Sequence, residues 1–509
     1  MKKTTLALLI ALCLFPLTLE SYKISVEASP TIWIVDDDGP ANFTSIQEAI
    51  NAANPGDTIF VHNGTYYENL VINKSITLVG ENRDFTIING NETGNVIEIT
   101  FDKVSISGFA IQKSELSGSG IFIGIASSIM IYHNKIINNY EGISIHYSIN
   151  ITISNNIISN NFNGIYARSV THSLFSDNII SLNTFGICLF SSSENVISRN
   201  VISDNSVNGI SFDYSGANEV CYNTIYDNYK GITLVSSEEN TIYCNNFNNF
   251  YQVLSDSPNT WTYESEGNHW SDYTGQDLNG DGIGDSSYKI DARNQDSFPL
   301  VGTAFNFPVY SEGKTYGVTI ITNSTVMGFR FEIGGETGNK IIRFNVSDDE
   351  EFFSFSRVTI PTGLMRYPYI VLIDNVEASP TYLNVSGSYV RLYLTHSSQA
   401  QVSIISSGAL SLYYELLAKQ ISLNQAYATL LDDYSALLEN YSRLQESFDD
   451  LNASYQQLLS NYSMQSQIIQ NLVYVVVFSA AVFIVVTVYL SRHAHARAAP
   501  RLKVIEDEG

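Results

Sequence analysis

Asparagine recurs through the middle of this chain at a nearly constant step, and that step limits the fold more than any other feature. In "HNKIINNYEGISI", "NNIISNNFNGIYA", "DNIISLNTFGICL", "RNVISDNSVNGISF" and "YNTIYDNYKGITL" the first aligned asparagines are Asn134, Asn156, Asn178, Asn200 and Asn223, followed by Asn245, with spacings of 22, 22, 22, 23 and 22. A second row, Asn139, Asn161, Asn183, Asn205 and Asn228, follows five residues behind. Gly120, Gly142, Gly164, Gly186, Gly209 and Gly231 keep the same register. A unit this short cannot bury an apolar face alone and must stack on its neighbours. Apolar residues alternate within each unit, as in Ile143 and Ile145, Ile165 and Ala167, Ile187 and Leu189, Ile210 and Phe212, and Ile232 and Leu234. Period two signals strands, and no unit holds the ten or more residues that a helix needs.

Short strands broken by Asn and Gly close one coil of a parallel β-solenoid, each inward side chain resting on its equivalent one coil away. Ile158 and Ile165 are predicted to point inward, Asn156 and Asn161 to be rungs of two ladders, and Gly164 to make a corner. Asn tolerates left-handed backbone angles, and stacked Asn side chains can bond along the axis. Leucine-rich repeats have a similar period but need a leucine consensus that is missing here, and a propeller needs about twice the period. "TIFV", "SITLVG", "VIEI" and "VSISGFAIQ" read as earlier coils, so residues 58–255 predict about nine coils and a rod of roughly 43 Å. Ser45 and Glu48 form a capping box that opens the short helix "IQEAINAA", stopped by "NPGD", as an N-terminal cap.

"VDDDGPANFTSIQEAINAANPGDTIFVHNGTYYENLVINKSITLVGEN", the Asn/Gly coils and "GNHWSDYTGQDLNGDGIGDSSYKID" resemble the NosD-like right-handed parallel β-helix proteins over residues 31–300. The resemblance implies a pectin-lyase-like fold of the group labelled carbohydrate-binding and sugar-hydrolysing, on an archaeal surface protein. It also implies a periplasmic copper role in maturing nitrous oxide reductase. Copper wants soft or imidazole ligands. The chain has eight histidines and five methionines, and His133, His146 and His172 do not share one repeat position, which puts copper in doubt.

Glycoside hydrolysis wants two carboxylates about 5 Å or 6.5 to 9.5 Å apart. Asp204 and Asp227 each lie four residues after an aligned Asn, one coil apart, and are the candidate catalytic pair; accidental pairing of outward polar residues is the competing reading. Asp177 and Arg199 share a position in the same way. A lyase would want a calcium site beside a base, and no acidic cluster with a neighbouring Arg or Lys stands out in the regular coils. "DLNGDGIGD" is sharper, because Asp277, Asn279, Asp281 and Asp285 occupy positions 1, 3, 5 and 9 of an EF-hand-like loop with Gly282 at the turn. Tyr288 replaces the position-12 Glu, so a Ca²⁺ there would need carbonyls, water or Asp291, and an Asx-rich turn without metal is the alternative. Tyr147, Tyr166, Tyr214 and Tyr222 could stack on sugars.

Beyond the coils, residues 301–405 alternate as the strands of an antiparallel β-sandwich and resemble a spacer module of archaeal surface proteins. Residues 410–471 carry heptads: Tyr427, Tyr434, Tyr441, Phe448, Tyr455, Tyr462 and Ile469 step by seven, with Leu430, Leu437, Leu444, Leu451 and Leu458 three behind. They predict a coiled-coil stalk and hence a homo-oligomer. Residues 472–490 hold no charge and are long enough to cross a bilayer. Arg492, Arg497, Arg501 and Lys503 follow, which places residues 491–509 in the cytoplasm and the rest outside. Lys2, Lys3 and the apolar residues 6–19 read as a signal peptide cleaved after Ala28, covering residues 1–28.

The formal net charge of −25 excludes nucleic acid as a partner and favours cations over anionic polymers. Cys188, Cys221 and Cys244 have no zinc-type spacing and form no disulfide framework. Eleven N-x-S/T sequons precede the apolar segment and permit glycosylation. The reading is a membrane-anchored surface protein whose solenoid binds glycans or neighbouring surface components. A polysaccharide hydrolase or lyase, and a copper-handling protein, stand as alternatives.

Overall fold

The computed structural model describes residues 29–335, 338–348 and 354–496. The proposed signal peptide, Asp349, Glu350 and the last thirteen residues, with Arg497, Arg501 and Lys503, lie outside them. The chain divides into two compact units, one ending at Ser411 and one starting at Leu412.

The first unit begins with a parallel β-helix. Three sheets of ten, nine and ten strands run along it, and each strand pairs in parallel with its equivalent in the next coil. Pairing is in register: Ile136, Ile158, Ile180 and Ile202 form one inward column, and Ile143, Ile165, Ile187, Ile210 and Ile232 another, each fully buried. A one-residue slip would turn each of these columns outward, so the isoleucines fix the register. Helix α1 (Ile46–Ala52) covers the N-terminal end with Ile46, Ala49 and Ile50 buried. Ser45 caps it as expected, but Glu68 supplies the larger share, accepting from Ser45 Oγ and from the Ile46 and Gln47 amides at 2.8 to 2.9 Å.

The ladders are present. Each Asn amide N–H donates to the Oδ1 of the Asn one coil on, from Asn134 to Asn156 at 2.9 Å and onward to Asn268. The second runs from Asn139 through Asn161, Asn183, Asn205 and Asn228 to Asn249. Each Asn Nδ2 also donates to an inward carbonyl, so the side chain replaces the strand pairing that a corner interrupts.

Two expectations shift in detail. The left-handed residues are those just before the ladder positions, such as Asn155, Asp177, Leu182 and Arg199, so the ladder asparagines stay free to aim inward. Gly164 is not left-handed; it is the second residue of the strand Asn163–Arg168, where a Cβ would lie 2.6 Å from the Gly186 carbonyl oxygen, so close approach of backbones demands it.

Beyond the coils lies a sandwich of two five-stranded antiparallel sheets, with Val318, Phe344, Val358, Leu392 and Ile404 among its buried residues. It packs on the last coils through Cys221, Cys244, Leu300, Ala304 and Ile321. There Glu266 takes both Arg357, at 2.8 Å, and Arg391, all three largely removed from water. Asn246 exchanges two hydrogen bonds with Ala304, as a strand neighbour would.

Helix α2 (Gly408–Ala496) is 89 residues long, and the stretch Leu416–His493 includes a window apolar enough to cross a membrane.

Candidate functional site

Inward positions of the solenoid are filled by hydrophobes and by Asn and Ser side chains already hydrogen-bonded between coils, so ligand chemistry has to come from outward residues. The sheet with the longest coil strands, mostly six residues, offers the richest outward face. In-register pairing builds it from columns. Ser144, Tyr166, Cys188, Ser211 and Thr233 form one, and His146, Arg168, Phe190, Asp213 and Val235 another.

Rings and polar groups interleave across these columns. The His146 imidazole contacts Ser144 Oγ at 3.3 Å and meets Phe122 and Tyr166 edge-on, with centroids 5.3 and 5.9 Å apart. Arg168 lies over the Tyr147 and Phe190 rings at 5.9 and 5.6 Å. Burial holds the His146 imidazole below its usual range; Glu141 opposes that and Arg168 adds to it. Burial likewise pushes the Tyr166 phenol up and the Cys188 thiol up to about 12, so both stay protonated and serve as donors at neutral pH. Asp213 is raised by burial and then by the charge of Asp256.

One long border of this face is a corner rich in exposed rings. Tyr140 stacks on Phe162 at 4.9 Å with planes 5° apart, and further along Tyr229 stacks on Phe250 at 5.6 Å. A cavity of about 890 Å³ opens beside the first pair, lined also by Glu92, Lys113, Glu115 and Leu116. Aromatic walls joined to hydrogen-bonding groups suit a ligand with apolar C–H faces and many hydroxyls.

The predicted site residues are dispersed. Asp204 and Asp227 are exposed, left-handed corner residues on adjacent coils, following the paired Ser203 and Tyr226. Asp177 and Arg199 form a bidentate ion pair at 2.8 and 2.9 Å. Tyr147 and Tyr214 are exposed beside the long-strand face and Tyr166 lies on it, whereas Tyr222 is packed under the sandwich with its hydroxyl at Thr319. Sequence reading considered His146 only as a copper ligand and missed Arg168, Asp213 and the stacked corner rings. Their signal was present in the shared repeat positions, but only register across coils turns those positions into columns.

In the "DLNGDGIGD" loop, Asp277 Oδ1 accepts from the Gly280 and Asp281 amides at 2.8 and 3.1 Å, and Oδ2 from Gly282 at 2.8 Å. Asp285 accepts from Leu278 at 2.7 Å, and Asn279 Oδ1 from Asp281 at 3.0 Å. Gly280 and Gly282 have φ of 70° and 81°, as the turn requires. A Cβ on Gly282 would lie 3.1 Å from Arg357, so the loop sits against the sandwich. Among the described residues, the group of three carboxylates with ligand oxygens all within 4.8 Å of one another is Asp36, Asp37 and Asp38.

Residues 50–275 match the family model "Periplasmic copper-binding protein (NosD)", and the coiled segment is a NosD-like parallel β-helix. The probable pectinesterase/pectinesterase inhibitor 6 of Arabidopsis thaliana is 37% identical over 120 residues, 21% of this chain and 21% of that protein. This chain therefore spans about a fifth of that relative's length. Among solved structures, XylC with xylose is similar at a TM-score of 0.41 and 14% identity, covering 47% of this chain and 68% of the other. Pectate lyase Pel9A is similar at 0.33 and 16%, covering 48% and 75%.

His133, His146 and His172, the histidines weighed for copper, are not brought to one place. His133 lies at the corner after one sheet, His146 ends a strand of another, and His172 lies on the connection between two sheets, where it pairs with Glu194 at 2.6 Å. Cys221 and Cys244 are buried, with thiols held protonated by desolvation. The hard carboxylate oxygens of Asp36 to Asp38 are poor partners for a soft metal.

Proposed function

We propose that the long-strand face of the β-helix is a glycan-binding surface, displayed outside the cell on a chain that its apolar C-terminal helix anchors. One observation carries the reading: the outward columns combine rings, a half-buried imidazole, a guanidinium and protonated phenol and thiol donors in one band. The name of a relative that matches 120 residues of this chain, a pectinesterase, points to the same ligand class. The membrane part rests on residues 472–490 and the arginine that follows.

Hydrolysis is the second reading, favoured by one pair. Asp213 pairs with Val235, and Asp256 follows Ser255, the last residue of the next strand in that sheet, so the two residues lie two rungs apart, about 10 Å at a rung of ~4.8 Å. Asp213 is pushed up by burial, while Ser257 and the Ser236 amide hold Asp256 down, the acid and base split that inverting enzymes use. Glu141 is three rungs from Asp213 and also five residues along the strand from its column, roughly 20 Å in all, too far for such a pair. The separation of Asp213 and Asp256 sits at the upper edge of the useful range and Asp256 is exposed, so binding without turnover is the better-supported function.

The test is a titration of the purified chain against a panel of neutral and anionic polysaccharides, repeated with Tyr166→Ala and Arg168→Ala. Binding should weaken about tenfold or more in each variant, roughly 1.4 kcal/mol, with an unchanged melting temperature because both side chains point outward. Equal binding by the variants, or no binding to any polymer, contradicts the proposal.

A further inference from the structure

The long helix carries an apolar stripe over its whole stalk portion, and that stripe is wider than a two-stranded seam needs. The a-position rings from Tyr427 to Tyr462 are each 56% to 72% exposed on the single chain, and the d-position leucines from Leu430 to Leu458 are 65% to 68% exposed. Leu431, Leu438 and Leu459 add apolar side chains at three of the five e positions from 431 to 459, with Gln445 and Asn452 at the other two. A strict a/d stripe suits two helices, whereas a stripe widened to e suits a helix in contact with two neighbours.

Charge is distributed to match. Seven charged residues lie between 427 and 469, and none falls at a, d or e: Asp432, Glu439 and Glu446 are at f, Asp449 at b, Arg443 and Asp450 at c, and Asp433 at g. Glu439 and Arg443 pair with each other along the outer surface of the same helix. The g column is otherwise short and polar, with Asn440, Ser447, Ser454 and Asn461 beside the a-position rings. These can accept from tyrosine hydroxyls, which need a partner once buried.

We infer that the stalk is the interface of a parallel bundle of more than two copies of this chain. The same helix runs on into the apolar residues 472–490, so copies anchored in one bilayer share direction and register. An aromatic side chain buries about 150–250 Å², so six a-position rings and five d-position leucines per chain exceed the roughly 800 Å² per partner of a standard interface. Net negative charge on the outer positions opposes assembly, so added salt strengthens it. The bundle places several glycan-binding faces on one anchor, which raises effective affinity without any new contact.

The test is the protein mass of the detergent-solubilised full chain by light scattering, with chemical cross-linking in intact membranes. Three or more chains per particle is the expected result; one or two overturns the inference. The double variant Leu437→Asp and Leu444→Asp should lower the mass to a single chain while the melting transition of the β-helix is unchanged. A multimer that survives this variant places the contacts elsewhere and overturns the stalk as the interface.

Discussion

At the scale of single residues, the asparagine ladder shows how one side chain type builds a corner. Each rung accepts one amide N–H, donates to an inward carbonyl and contacts the next rung, so a buried turn is left with few unmet polar groups. The last acceptor of the first ladder is not Asn but Asp296, which takes the Asn268 amide at 2.7 Å and the Trp270 indole at 2.9 Å. Burial pushes its carboxyl up to about 6. The native chain therefore keeps this proton to higher pH than the unfolded chain does. Its contribution to stability is fully present below about pH 4 and is lost as pH rises through 6. Asp296→Asn removes that titration, so the melting temperature of the native protein minus that of the variant should be larger near pH 4 than at pH 7. A difference that is flat between them would contradict the assignment. Two ladders were legible in the sequence because Asn recurs in them at a step of 22 or 23 residues over five or more coils. A third, through Asn195, Asn218, Asn240, Asn259 and Asn294, was not, because Ser173 starts it and its later steps are irregular.

At the scale of elements, the solenoid, the sandwich and the long helix follow from periodicities of two and seven, which local sequence encodes directly. Their joints do not, since Glu266, Arg357 and Arg391 meet across 91 and 125 residues of chain. Removing one member of such a buried set leaves the others uncompensated, at about 3–5 kcal/mol. The "DLNGDGIGD" loop lies beside this joint, and calcium there remains our proposal. Its carboxylates already hold the turn through backbone amides, so an ion would have to reorient some of them. Calcium should raise the melting temperature of the chain and a chelator should lower it. Identical melting curves with and without chelator would remove the ion from the account. The aromatic corner was invisible in sequence for the same reason as the joint: Tyr140 and Phe162, or Tyr229 and Phe250, become neighbours only when one coil rests on the next.

At the scale of the whole molecule, fold leaves activity open, because the same β-helix can support binding or cleavage and outward residues decide between them. Here the outward band joins ring and donor groups, and our proposal of polymer binding rests on that combination. The acidic surface favours neutral polymers over anionic ones. The most direct measurement is the chain length of a bound polysaccharide after prolonged incubation with the purified protein. The account predicts recovery of the polymer at its original length, with no new reducing ends and no unsaturated products. Shortened chains that disappear with Asp213→Asn would contradict it and make the protein a hydrolase.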